Sequence, residues 1–315
     1  MKLKLFFETS KGAAERLTAL FDFVWPTAAA IWNLRWQVGG LVGAYPAITE
    51  EELLGRFVSG SGIRGANLRR SCIETSWEDQ KQEFARFLLF EFCAMYEAWC
   101  EGCLLELGQP EELSKALQFP TAIRGGKPVG VGHAVGVITK ARSPTLSAAL
   151  LSPLSTNRKN SKAQLEELLV CYRYFKEARN ALVHAGGTPS KAFRDAEAAY
   201  SQRTASSLGV KEAPAYIASV PGQPPSLSLR GVVGFGEIVL RLICTLDLEL
   251  MQSASAEAVF IKRWRARHGY ASTMISSDPV ARLHRIRRLF KKLDLPSPVL
   301  SPALDAWLTS NGCVS

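Results

Sequence analysis

The sequence predicts an all-α helical bundle with a small β-hairpin and helical extensions at both ends. Three observations carry this. Apolar residues recur at helical spacing over several long stretches, most clearly 78–107 and 161–185. Capping residues and Gly or Pro stops bracket those stretches. Short β-like runs are confined to one place, Tyr216–Val220 and Ser226–Leu229 around Pro221-Gly222, which predicts the hairpin.

Taken in order, residues 9–24 and 27–38 read as two helices broken at Pro26. Thr49-Glu50-Glu51-Glu52 is a capping box ahead of a short helix ending near Val58, and a Gly/Ser stretch follows over 59–66. The helix of 78–107 is capped by Ser76 with Asp79 and stopped by Gly108 and Pro110. It is apolar on most sides, which puts it in the middle of the bundle. Residues 119–160, rich in Gly, Ser and Pro, read as a long insertion, either functional or mobile. The helix of 161–185 carries the stripe Leu165, Leu168, Leu169, Tyr172, Phe175 and Leu182, and Gly186-Gly187 end it. A short amphipathic helix over 190–205, an apolar helix over 236–259 and a basic helix over 277–293 complete the series. The organisation expected is an N-terminal helical extension (1–75), a helical domain (76–260) with the 119–160 insertion, and a basic helical C-terminal region (261–315).

The chain has 315 residues, 47% of them apolar and 21% charged, which excludes a collagen-like, a disordered or a disulfide-dense chain. Its net charge of +9 is concentrated. Residues 261–292 hold Lys262, Arg263, Arg265, Arg267, Arg282, Arg285, Arg287, Arg288, Lys291 and Lys292 against the single acid Asp278, which accounts for the whole surplus. Such a block suits a polyanion. Arg263, Arg265, Arg267, Arg285, Arg287 and Arg288 are the candidate RNA contacts, with Trp264 and Tyr270 for base stacking. The plainer reading is a solvated helix face.

The segment that carries chemistry is Arg179-Asn180-Ala181-Leu182-Val183-His184. Histidine exchanges protons near neutral pH. Arginine's planar fork fits phosphate oxygens. Asparagine holds an imidazole or a phosphate oxygen by hydrogen bonds. Together they suit RNA cleavage by the RNA's own 2′-hydroxyl, with His184 moving the proton and Arg179 stabilising the phosphorane. No metal or cofactor is required by that chemistry. Asn180 and His184 share a helix face, whereas Arg179 lies about 140° round from His184 at ~3.6 residues per turn. One straight helix presents Arg and His poorly to one phosphate, so a homodimer that pools two copies follows. The plainer reading is a histidine favoured at a helix C-terminus, with Arg179 pairing Glu177 or a neighbour.

The stretch YRYFKEARNALVHAGG resembles the signature of the HEPN superfamily, an Arg followed after four to six residues by a His, with a polar residue directly after the Arg. Arg179, Asn180 and His184 match it in position. FLLFEFCAMYEAWCEGCL is similar to the family's central helix, with Glu97 at its acidic position, and SLSLRGVVGFGEIVLRLICTLDLEL to its closing strand and helix. The resemblance covers about 76–255. It implies a HEPN-like bundle and a metal-independent endoribonuclease. It also implies a dimeric site of Arg179, Asn180, His184 and Glu97, and a place in a toxin–antitoxin or antiphage system with an antitoxin or regulatory partner. The alternative within the family is a catalytically inactive dimerisation scaffold that binds nucleic acid. One subgroup carries a Tyr two positions after the His; here that position is Gly186.

Other motifs are weaker. The run Gly125–His133 lacks a P-loop ending and reads as a flexible loop. Cys100 and Cys103 form a CxxC with no second pair, so buried thiols in a reducing compartment are expected. A helix–turn–helix over 49–70 would need Ser61–Arg70 as its second helix, against which Gly62 and Gly65 count. The charged N-terminus is unlike a signal peptide, and Asp22 and Pro26 interrupt the longest apolar stretch. A cytoplasmic protein without a membrane partner is therefore expected.

Overall fold

A computed structural model describes residues 3–184 and 189–315, with the backbone but not the side chain of His184. The helices are α1 (Glu8–Ala44), α2 (Glu50–Phe57), α3 (Trp77–Glu106), α4 (Glu112–Ala116), α5 (Val131–Ile138), α6 (Pro144–Ser155) and α7 (Leu165–His184). There follow α8 (Lys191–Ser201), α9 (Ala205–Leu208), α10 (Leu229–Leu250), α11 (Ser255–His268), α12 (Pro279–Lys292) and α13 (Pro302–Ser310). Two short strands, β1 (Ala122–Arg124) and β2 (Lys127–Val129), pair antiparallel. The fold is all-α with one small hairpin.

Helix α3 is the central element, packed by α1, α7 and α10. Its Phe92, Tyr96 and Trp99 are buried, and their rings meet Phe235 of α10 and Tyr172 of α7. Helix α10 comes close because it carries glycine where side chains would collide. A Cβ on Gly236 would lie 2.7 Å from the Phe92 ring, and one on Gly231 would lie 1.8 Å from the Ala215 carbonyl oxygen. One apolar core takes in Leu5 near the start, the α3–α7–α10 centre, and Ile286, Leu304 and Val314 near the end. A second, small cluster of Val38, Leu53, Leu68 and Cys72 holds the far end of α1 to α2.

The start of α1 is fixed by a buried anchor. Asp247 of α10 accepts the amides of Phe6 and Phe7 at 2.8 and 3.0 Å and the hydroxyl of Ser10, which itself accepts Trp99 Nε1 at 2.9 Å. The capping box at Thr49 and the Ser76 cap form as the sequence predicts.

Four expectations are corrected. Helix α1 runs unbroken through Pro26, since Pro26 and Asp22 face solvent, where water can take the place of the lost helical hydrogen bond, while Leu17, Val24 and Ala28 stay buried on either side. The 119–160 segment is ordered into the hairpin, α5 and α6, because Val131, Ala134, Ile138, Leu146, Leu150 and Leu154 enter the core. The hairpin lies at 122–129 and not at 216–229. Gly125 and Gly126, both at positive φ, supply the turn there. The 216–229 segment is instead held on α8, with Ser219 donating its amide to Glu197 at 2.7 Å. As Gly62 and Gly65 suggest, no second helix of a helix–turn–helix fills Ser61–Arg70: the two glycines take φ of 75° and 70°, and helical turns begin only at Leu68. The apolar stretch read as 236–259 divides into α10 and α11 at Met251–Ala254.

Candidate functional site

The Arg179–His184 segment forms the last turns of α7. The Leu168, Leu169, Tyr172 and Phe175 stripe buries one face of that helix, which fixes how its end is presented. Arg179 is half-buried beside the fully buried Cys93 of α3, whose thiol is pushed up to about 12, chiefly by burial. One guanidinium NH2 (Nη1) of Arg179 donates to Asn180 Oδ1 at 3.0 Å. Its Nε is buried without a hydrogen-bond partner, and no carboxylate among the described residues forms an ion pair with it. The Glu177 pairing that would make Arg179 merely structural is thus not formed. Position 184 follows Asn180 by one turn on the same face. The His184 side chain and Gly186-Gly187 lie outside the described residues.

Glu97, on α3, does not pair with Arg179. It pairs with Lys176 at 3.0 Å, one turn nearer the start of α7. Lys176 is held there by Gln118, and its ammonium lies 5.4 Å from the Phe119 ring and 5.9 Å from the Tyr172 ring. Sequence reasoning misses Lys176, although it precedes Asn180 by one helical turn. It misses Arg86 as well, whose guanidinium reaches the Leu182 carbonyl at 3.4 Å, a long-range contact without a local signature. Arg173, further back on α7, also has a buried Nε without a partner.

Several large aromatic side chains are exposed on α3 and α1. Phe87, next to Arg86, is 70% exposed, and Trp36 of α1 is 67% exposed. Phe23, Trp25 and Trp32 of α1 are exposed as well, with Phe23 against Phe84 and Trp32 against Trp77.

The basic region is reordered by the fold. Arg263 points inward, donating to the Phe6 and Leu293 carbonyls and pairing with Glu8 at 2.8 Å, so it is a structural residue and no RNA contact. Trp264 is buried, its Nε1 on the Cys313 carbonyl at 3.2 Å, and offers no stacking face; Tyr270 is exposed. Arg265, Arg267, Arg287 and Arg288 are exposed and Arg285 is half-buried. Arg282 is engaged by Asp305 at 2.9 and 2.8 Å. His268 is half-buried, packed against Trp264 and close to the Leu289 carbonyl. Burial foremost, then Lys292, Arg267 and Arg285, lower its pKa.

The Gly125–His133 run is the hairpin and the start of α5, and His133 is half-buried. All seven cysteines are free and buried. Among the described residues no cluster of His, Cys, Asp or Glu could hold a metal, and no helix is long and apolar enough to cross a membrane. No family model, curated protein or solved structure matches the chain.

Proposed function

We propose that the chain is a HEPN-type endoribonuclease that acts as a homodimer, with Arg179 and His184 as catalytic residues. Asn180 orients the Arg179 guanidinium, and its amide NH2 remains to hold an imidazole or a phosphate oxygen. Glu97 acts through Lys176, as a positioning residue for α7. The RNA 2′-oxygen attacks the adjacent phosphorus, and the bond from phosphorus to the 5′-oxygen breaks. His184 takes the 2′ proton, and the imidazole of the second copy delivers one to the departing 5′-oxygen. The products are a 2′,3′-cyclic phosphate and a 5′-hydroxyl, and the step needs no metal. The observation that carries this reading is Arg179, a half-buried guanidinium in the last turns of α7 with no hydrogen-bond partner on Nε and no ion pair among the described residues. A charge kept that way serves an anion that arrives later. The exposed Phe87, next to the Arg86 that reaches the end of α7, and Trp25 of α1 are the apolar side chains proposed to meet a second copy. Because such an activity harms its own cell, the proposed setting is the cytoplasm of a bacterium, as the effector of a toxin–antitoxin or antiphage system restrained by a partner protein.

The test is cleavage of mixed RNA in EDTA by the intact chain, His184→Ala and Arg179→Ala. Each variant is expected to lose on the order of 10²–10⁴-fold in rate, with cyclic-phosphate ends from the intact chain alone. Cleavage that persists in His184→Ala, or ends of another kind, refutes the assignment. If none of the three cleaves, toxicity of the same chains in cells decides, since a restrained nuclease loses toxicity with His184 and an inactive RNA-binding scaffold does not.

A further inference from the structure

At the end of α3 away from Arg179, a cleft of about 1050 Å³ lies between the start of α1, the last turn of α3, α11 and the end of α12. Acids and cations both line it, but they differ in availability. Glu8 is taken by Arg263 and Lys11, Asp294 by Lys4 and Lys11, and Glu106 by the amide and hydroxyl of Thr9. Glu15 is engaged too. Lys262, Arg267 and Lys292 are exposed and have no ion partner among the described residues. Arg285 stands close to Arg267 and Lys292 around His268 and is likewise unpaired among the described residues. The lining acids are therefore engaged by partners within the chain, and Lys262, Arg267 and Lys292 remain at the cleft, with Arg285 near it.

We infer that this cleft is a second binding site, one for the phosphodiester backbone of RNA, remote from the site of cleavage. The inference rests on the nuclease reading only for the purpose of binding. Cys93, beside Arg179, and Glu106, at the cleft, lie on one helix, about 20 Å apart at ~1.5 Å per residue. Cations that far away cannot stabilise the reacting phosphate, so they hold the substrate elsewhere along its length. RNA fits better than an anionic lipid surface. The apolar stripe of α12, Ile286, Leu289 and Phe290, is buried in the core, leaving that stripe nothing to insert into a bilayer, and a recessed cleft meets a chain rather than a plane. Tyr270, 86% exposed just past α11, adds a ring for stacking.

The test measures binding of a long single-stranded RNA by the full chain bearing His184→Ala, as a function of salt. Adding Lys262→Ala, Arg267→Ala and Lys292→Ala is expected to weaken binding and lower the log–log salt slope by about two, at ~0.7 per phosphate contact. Arg124→Ala, Lys127→Ala and Lys211→Ala remove the same charge from exposed sites elsewhere and are expected to change neither. In the cleavage-competent chain the first triple variant should raise KM at unchanged kcat. Equal weakening by both triples would show a mere net-charge effect and overturn the inference, as would no weakening by either. A fall in kcat would overturn the remote placement. Binding to phosphatidylglycerol vesicles that depends on the three residues, without RNA binding, would assign the cleft to lipid instead. The binding measurement needs no cleavage, so it decides the inference even where nuclease activity is absent.

Discussion

Asp247 makes a pH-dependent prediction. Its carboxylate is 1% exposed and holds the amides of Phe6 and Phe7 and the Ser10 hydroxyl. Burial raises its pKa from 3.8 to about 6, outweighing those hydrogen bonds, and nearby Glu106 raises it further. Between these two values the folded chain retains a proton that the unfolded chain has released, so stability falls as pH rises through that interval. At ~1.36 kcal/mol per tenfold the loss is about 3 kcal/mol, complete once pH is above the folded value. Asp247→Asn removes the titration while keeping the shape. Urea unfolding of both chains from pH 4 to pH 7.5 isolates the effect, since all other groups cancel in the difference. The intact chain should lose about 3 kcal/mol relative to Asp247→Asn on going up in pH. A difference that stays flat, or that moves the other way, refutes the claim that burial governs this carboxylate.

Two further predictions concern packing and assembly. Gly231→Ala drives a methyl into the Ala215 carbonyl and should cost on the order of 1–3 kcal/mol in thermal unfolding, whereas Gly40→Ala, in open space on α1, should stabilise by about 0.5–1 kcal/mol. Trp25→Glu with Phe87→Glu should abolish a dimer seen by sedimentation and lower RNA cleavage without changing helix content. Sedimentation of the intact chain as a monomer at every concentration, with cleavage linear in concentration, would refute the dimeric site.

Much of the helical frame was legible because α3, α7 and α10 each bury a long apolar face, with Ser76 and Ser228 capping the starts of α3 and α10. The 119–160 segment was not, because Val131, Ala134 and Ile138 sit on a helix of eight residues whose glycines hide any periodicity. Pro26 misled because it breaks a helix only where the carbonyl it leaves unpaired is cut off from water, and the exposure of Asp22 is a tertiary property. At the candidate site, Arg179 and Asn180 were legible from spacing. The Glu97–Lys176 pair was not, since which cation on α7 meets an acid on α3 depends on how far one helix is slid past the other.

The basic block shows the same limit with greater consequence. A charge plot of the sequence gives one feature, residues 261–292, and joins it readily to the only catalytic-looking motif. The fold separates them along the length of α3 and divides the block itself. Arg263 is consumed in holding α1 and Arg282 in holding α13, while Lys262, Arg267 and Lys292 remain outward. Charge that stabilises the fold and charge that is free for a ligand are identical in composition and distinguishable only by partners. Binding and cleavage should therefore be separable by mutation: Lys262, Arg267 and Lys292 for the one, Arg179 and His184 for the other.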